Sequence, residues 1–181
     1  WNFSGLEGTP IDVDIYTNCD EIELFLNGKS FGKQNIDKYC HGSYNIKYYP
    51  GTLRAIGYKN GKIVCEDEHI TSDAAKKLQL KLENTFEING VDLALFTCEC
   101  TDENDIFVPD AAEYVCFSTD ENAEIVGTGS DERDHKCVSL SERQMFAGKI
   151  SVAVRPKFGA ETFSLYAKSN TCGYTVFTFK K

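Results

Sequence analysis

Apolar residues in this chain recur at every second position almost from end to end. Ile11, Val13 and Ile15 alternate with Asp12, Asp14 and Tyr16, and Ile22, Leu24 and Leu26 alternate with Glu21, Glu23 and Phe25. Tyr44, Ile46 and Tyr48 alternate with Asn45, Lys47 and Tyr49. The pattern returns at Leu78, Leu80 and Leu82, at Leu93 and Leu95, at Ile150, Val152 and Val154, and at Phe163, Leu165 and Ala167. Successive strand side chains point to opposite faces, so such runs set one face on a core and the other in water, the habit of antiparallel sheets. No segment carries a sustained helical repeat; Asp73–Lys77 and Ser141–Gln144 read as single helical turns at most. Without strand–helix alternation, a doubly wound sheet and a (β/α)8 barrel are excluded.

The turn residues agree. Asn27-Gly28 and Asn60-Gly61 each lie between two alternating runs, and both tolerate the positive φ of a type I′ hairpin. Asn89-Gly90 is a third candidate, between Phe86–Ile88 and Val91–Phe96. An immunoglobulin-type sandwich uses roughly 100 residues, and the 181 present accommodate two small ones. The polar stretch His69-Ile70-Thr71-Ser72-Asp73-Ala74 separates the Asn60-Gly61 hairpin from a fresh alternating run. The reading is therefore all-β, with two tandem immunoglobulin-like antiparallel β-sandwich domains, 1–71 and 72–181.

Charge removes several partner classes. Lys and Arg total 19 against 28 Asp and Glu, a net charge of −9, so nucleic acids and anionic membrane surfaces find no basic face. The longest apolar stretch, Leu93 to Phe96, is far below the roughly twenty residues of a spanning helix. No signal-peptide pattern opens the chain. The only Met is Met145, and the chain begins Trp1-Asn2-Phe3, an aromatic pair that is expected to be buried against something. An excised piece of a longer protein is the expectation. Asn2-Phe3-Ser4 is formally a glycosylation sequon, discounted at such an end.

The eight cysteines are irregularly spaced and contain no CxxC pair. A chain of this size builds a core without disulfide staples. Free, mostly buried thiols in a reducing compartment follow as the expectation, with the cytoplasm favoured.

Chemistry-bearing patterns are few. Glycoside hydrolysis needs two carboxylates roughly 5–10 Å apart, one with a raised pKa. Nothing singles out such a pair, and Glu21 with Glu23 reads as a solvated face. Cys98-Glu99-Cys100 points both thiols the same way, alongside Ala94 and Phe96, but lacks the second ligand pair that zinc prefers. His41 beside Cys40 and His135 two before Cys137 are weaker still. The acidic loops Asp102-Glu103-Asn104-Asp105 and Asp131-Glu132-Arg133-Asp134 lack the EF-hand pattern. Gly127-Thr128-Gly129 has neither the helix nor the Lys of a phosphate cradle and reads as a tight turn. No Gly-x-Ser-x-Gly elbow accompanies His41, His69 or His135. The residues thus point to no catalytic centre, no metal and no cofactor. Tyr39, Tyr44, Tyr48, Tyr49 and Tyr58 could form a sugar-stacking surface, although tyrosine also packs well at the polar edge of a sandwich.

Taken together, several segments carry a specific resemblance. The opening Trp1-Asn2-Phe3 and the run from Val13 to Gly32 (VDIYTNCDEIELFLNGKSFG) are similar to the region after the catalytic barrel in glycoside hydrolase family 2 enzymes of the β-galactosidase type. Tyr49 to Tyr58 (YPGTLRAIGY), Asn60-Gly61-Lys62, Asn89 to Ala94 and Val108-Pro109-Asp110-Ala111 continue the similarity. Glu124 to Gly129 and Phe146-Ala147-Gly148-Lys149 extend it over nearly the whole chain. The chain departs at Gly129-Ser130-Asp131, where the family often has Gly-Asn-Gly-Asp, and at Ala147, where it often has Asn. Tyr44 stands where Trp is common.

The resemblance implies an accessory, non-catalytic region following a (β/α)8 barrel that carries two catalytic Glu. No position here matches the motifs of those Glu. The implied partner is the catalytic barrel of the parent chain, with carbohydrate as a further possible ligand. Trp1, Phe3, Tyr48 and Tyr49 are the candidate contacts with barrel or sugar, and Trp1 and Phe3 are expected to leave a sticky patch in the isolated piece. The alternatives are a carbohydrate-binding module with its own affinity, a cell-surface immunoglobulin-like tandem with oxidised cysteines, and a self-standing hydrolase.

Overall fold

A computed structural model describes residues 1–37, 40–131 and 134–181. Two compact units divide the chain at Thr71/Ser72. Each is an immunoglobulin-like sandwich of antiparallel sheets, and the described residues contain strands and no helix.

Unit 1 holds β1 (Pro10–Tyr16), β2 (Glu21–Leu26), β3 (Lys29–Asn35), β4 (His41–Lys47), β5 (Thr52–Lys59) and β6 (Lys62–Ile70). A two-stranded sheet, β1-β4, faces a four-stranded sheet of order β3-β2-β5-β6. The alternation in β2 turns Ile22, Leu24 and Leu26 inward, where they meet Tyr44, Ile46 and Leu53, with Val13 and Ile15 at the margin. Asn27-Gly28 (φ 51° and 78°) closes the β2–β3 hairpin and Asn60-Gly61 (φ 50° and 73°) the β5–β6 hairpin. Both pairs take the left-handed conformation that type I′ turns require. The Tyr44 hydroxyl donates to the carbonyls of Gly32 (2.9 Å) and Ile22 (3.2 Å), anchoring β4 across the sandwich. All nine residues of β6 are exposed, and β6 is a free edge of its sheet.

Unit 2 holds β7 (Lys77–Leu82), β8 (Ala94–Thr101), β9 (Tyr114–Thr119), β10 (Ala123–Gly129), β11 (Glu142–Gln144), β12 (Lys149–Pro156), β13 (Thr162–Lys168) and β14 (Tyr174–Lys180). Sheet β10-β12-β8-β7 packs on sheet β11-β9-β13-β14. Ile150, Val152, Val154, Phe163, Leu165 and Ala167 are all fully enclosed, as the alternation requires. Phe96 stacks edge-on with Phe177 (centroids 4.9 Å apart), and Phe86 lies 4.9 Å from Phe179.

Six sequence readings need correction. Leu93 and Leu95 do not supply the inward face of β8: Ala94, Phe96, Cys98 and Cys100 do, and Leu95 is 43% exposed. A shift of one residue moves each strand side chain to the opposite face, and the Phe96 ring gains more by burial than Leu95 would. Asn89-Gly90 is no hairpin, because no strand precedes it; Asn89 Oδ1 instead accepts from the N–H groups of Val91 and Asp92, both at 2.8 Å. Asp73–Lys77 forms no helical turn, and Glu142–Gln144 is the edge strand β11. Gly127-Thr128-Gly129 lies inside β10, where the register slips between Ile125 and Gly127 to make a bulge, so it is not a tight turn. Of the eight free cysteines, only Cys19, Cys98, Cys100 and Cys172 are buried, and the other four are exposed.

Candidate functional site

The four residues singled out from sequence come together on unit 1. Tyr48 follows β4 with its ring fully buried. Trp1 and Phe3 stand edge-on against it, with centroid separations of 5.0 and 5.5 Å, and lie 5.6 Å from each other. Edge-to-face contacts of this kind match the positive ring edge to the negative face. Polar groups fix the cluster. Trp1 Nε1 donates to the Tyr49 carbonyl (3.0 Å), Thr71 Oγ1 donates to the Trp1 carbonyl (2.6 Å), and the Phe3 N–H donates to the Tyr48 hydroxyl (3.2 Å). The opening aromatics are therefore seated on unit 1 itself. Phe3 and Tyr49 remain 42% and 49% exposed.

The tyrosine-rich stretch does not present a row of flat faces. Tyr44, Tyr48 and Tyr58 are buried, Tyr49 is exposed, and Tyr39 lies outside the described residues. The Tyr58 ring is covered by Lys33 Nζ at 3.5 Å, and its hydroxyl donates to Glu23. Among the described residues, Tyr16 is the other widely exposed tyrosine of unit 1, tilted over His41 with centroids 5.1 Å apart.

An open groove of about 510 Å³ runs along unit 1 between β1 and the inner face of β2, β5 and β6. Two strands cannot cover four, which leaves it uncovered. Its floor is apolar (Val13, Ile15, Ile22, Leu24, Leu53) and its rim carries Asp14, Glu66, Asp67 and His69.

Where the fold shifts a carboxyl among the described residues, the shift is downward. Ser30 and then Tyr58 donate to Glu23 and lower it. The Asn89 side chain lowers Asp92. Asp102 accepts from the N–H groups of Asp73, Ile106 and Asn104 and is lowered by them, so its acidic loop closes on backbone donors. Asp134 is lowered first by the Lys136 N–H, with Arg143 and Ser130 adding to it. Groups held ionised in this way are the opposite of a general acid, whose pKa must rise. No cluster of three or more His, Cys, Asp or Glu capable of holding a metal occurs among the described residues. The acidic loop Asp131–Asp134 includes Glu132 and Arg133, which lie outside the described residues; Asp134 itself is paired with Arg143. The Cys98 and Cys100 thiols face the apolar core, and burial pushes Cys98 up to about 12. Glu99 between them points the other way and is held by Lys81 and Lys149.

Sequence reasoning missed two arrangements. One is the buried Arg143 and its partners; the other is the Cys19–Cys65 approach. An isolated Arg in a polar segment carries no sequence signal of burial, and two cysteines 46 positions apart carry none of proximity.

Comparison with known proteins places this geometry. The family model described as Domain of unknown function (DUF4982) matches residues 8–65, and Glycoside hydrolase family 2 C-terminal domain 5 matches residues 78–177. The chain is 32% identical over 164 residues to Beta-galactosidase BoGH2A of Bacteroides ovatus, covering 86% of this chain and 18% of that protein. The crystal structure of a beta-glycosidase from Bacteroides vulgatus superposes with TM-score 0.93 at 25% identity, over 100% of this chain and 24% of that one. A glycosyl hydrolase family 2 member from Bacteroides cellulosilyticus gives 0.91 at 29% identity, over 99% of this chain and 25% of its own. The chain thus spans about a fifth to a quarter of the length of these relatives. With more than half of its residues matched by one family model and its whole fold shared with such enzymes, the chain belongs to the C-terminal region of glycoside hydrolase family 2.

Proposed function

We propose that this chain is a non-catalytic accessory region of a β-galactosidase-type glycoside hydrolase, scaffolding the catalytic barrel of its parent and shaping the rim of the substrate cleft. The observation that carries the proposal is the extent of the match: 86% of this chain aligns with a beta-galactosidase of which it accounts for only 18%. Rigid sandwiches act in such a role by positioning: they fix loops against a cleft, and geometry held in advance lowers the barrier. Phe3 and Tyr49, exposed beside the buried Tyr48, are the surface offered to the barrel.

The experiment is complementation. The chain alone is expected to leave a nitrophenyl β-galactoside intact. Mixed with the remainder of the parent polypeptide, it is expected to co-elute with that remainder and raise its activity and thermal stability. The Phe3→Ala/Tyr49→Ala double variant is expected to bind more weakly. Turnover by the chain alone, or failure of the two parts to associate, would overturn the reading. Calorimetry with galactosides tests the carbohydrate-binding alternative, for which heat of binding to the isolated chain would be required.

A further inference from the structure

We propose that Cys19 and Cys65 form a redox-closable pair: a small-molecule disulfide converts their two thiols into an intrachain disulfide that clasps edge strand β6 to the turn leading into β2. The two Sγ atoms lie 3.5 Å apart. Bond formation brings them to about 2.05 Å.

The backbone makes room for this approach at one position. Gly57 on β5 is the cross-strand neighbour of Cys65 and, on its other side, of Ile22. A Cβ at residue 57 would fall 2.6 Å from Cys19 Sγ and 2.7 Å from Cys65 Sγ. Any other residue would therefore occupy the space the two sulfurs share. The β5–β6 register slips directly after this position, between Gly57 and Tyr58.

Access and order of attack follow from burial. Cys65 lies mid-strand on the exposed edge β6, whereas Cys19 is buried beneath it. With oxidised glutathione, the Cys65 thiolate attacks one glutathione sulfur and releases one glutathione thiolate. The Cys19 thiolate then attacks Cys65 Sγ in the mixed disulfide and releases the second. Two protein thiols are oxidised and one glutathione disulfide is reduced to two thiols, the released glutathione thiolates taking up, through solvent, the two protons that the protein gives up. Cys100 and Cys172 also lie close, at 3.8 Å, but both are buried, and Cys100 additionally faces Met145 Sδ at 3.4 Å. With neither thiol of that pair exposed, a small-molecule disulfide has no sulfur to meet, whereas Cys65 offers one.

The test is to hold the folded chain in oxidised glutathione, quench with an alkylating agent, and map peptides without reduction. The expected result is a peptide pair joining residues 19 and 65, two hydrogen masses lighter than its reduced form, as the dominant internal cross-link. A rise of several degrees in Tm is expected to accompany it, because closing so long a loop restricts the unfolded chain. Cys65→Ser, an exposed position that keeps the fold, is expected to abolish both signals. Arrest at a Cys65–glutathione adduct, a Cys65 cross-link between two chains, or Cys100–Cys172 as the dominant internal bond would each overturn the proposal. The cross-link is read on the unsubstituted chain, so the result does not depend on the variant folding.

Discussion

The Arg143 guanidinium reaches the Asp134 carboxylate at 2.7 Å inside unit 2, with the arginine side chain 1% exposed and the aspartate 14%. The same guanidinium donates to the carbonyls of Thr128 and Cys137, each at 2.8 Å, and to Thr128 Oγ1. A buried charge survives only when paired and hydrogen-bonded, and here one side chain ties β11 to β10 and to the segment between them. Arg143→Met would strand two carbonyls and a carboxylate. It is expected to lower the unfolding free energy by about 3 kcal/mol, read by urea denaturation. Parent-like stability in that variant would show the pair to be dispensable.

Acid is expected to weaken the same region. The Asp134 carboxyl is held below its ordinary value of 3.8, chiefly by the Lys136 N–H and then by Arg143. A depressed folded pKa gives stability that is complete above the unfolded value and lost as pH falls through the folded one. Denaturation midpoints measured from pH 5 downward should fall more steeply for the parent than for Asp134→Asn, which has no such proton to take up.

Ala147 sits at φ 48°, followed by Gly148 at 72°. An L-residue with a Cβ incurs roughly 1–2 kcal/mol in the left-handed region, and Asn is among the residues that visit it most readily. Ala147 is exposed, so a larger side chain meets no obstruction. Ala147→Asn is expected to stabilise unit 2 by about 0.5–1 kcal/mol, with the urea midpoint raised and the slope unchanged. The opposite sign is expected at Gly148, where a Cβ would lie 2.3 Å from the Val108 carbonyl.

The same loop shows how much the sequence carried. Strand period, the Asn27-Gly28 and Asn60-Gly61 turns and the inward faces of β2, β12 and β13 were legible, because alternation and type I′ turn chemistry are local signals. Leu95 misled because β8 has apolar residues on both faces, and only packing against Phe163 and Phe177 decides that Phe96 turns inward. Asn89-Gly90 misled because its side chain could satisfy a turn without a hairpin around it. Of the candidate contacts, Trp1, Phe3 and Tyr48 stand out in the sequence singly but not as an assembly, since their cluster depends on the Thr71 hydroxyl reaching the Trp1 carbonyl across the length of unit 1's sequence. The Arg143 and Cys19–Cys65 arrangements depend on long-range register in the same way.

Trp1 is the only tryptophan, which makes its seat measurable. The Tyr48 hydroxyl accepts the Phe3 N–H at 3.2 Å while its ring supports both opening aromatics. Tyr48→Phe keeps the ring and removes the acceptor. A loss of about 1 kcal/mol and a red shift of Trp1 emission are expected, as the N-terminal segment loosens. Unchanged emission would show that ring packing alone holds the segment.

High pH provides a last check, on the core of unit 2. Burial first, then Glu99 and Cys172, pushes the Cys98 thiol up to about 12 from its ordinary 9.0. Cys100 is raised as well, again chiefly by burial, with Cys172 adding to it. Between pH 9 and about 12 the unfolded chain gives up these protons while the folded chain retains them. The native state then binds more protons, so stability falls as pH rises, by up to about 1.4 kcal/mol per pH unit for each thiol. Below pH 9 both states hold the proton and the contribution is flat. Lysines and tyrosines titrate in the same window, so the comparison must be between slopes. Cys98→Ala removes one thiol from the linkage at the expense of a small cavity, which shifts the whole curve without altering its slope. Its stability, followed by urea denaturation across pH 8 to 11, is expected to decline less steeply than the parent's. Parallel curves would mean that Cys98 ionises in the folded protein as readily as in the unfolded one, and that the core of β8 is wetter than its packing against Phe163 and Phe177 indicates.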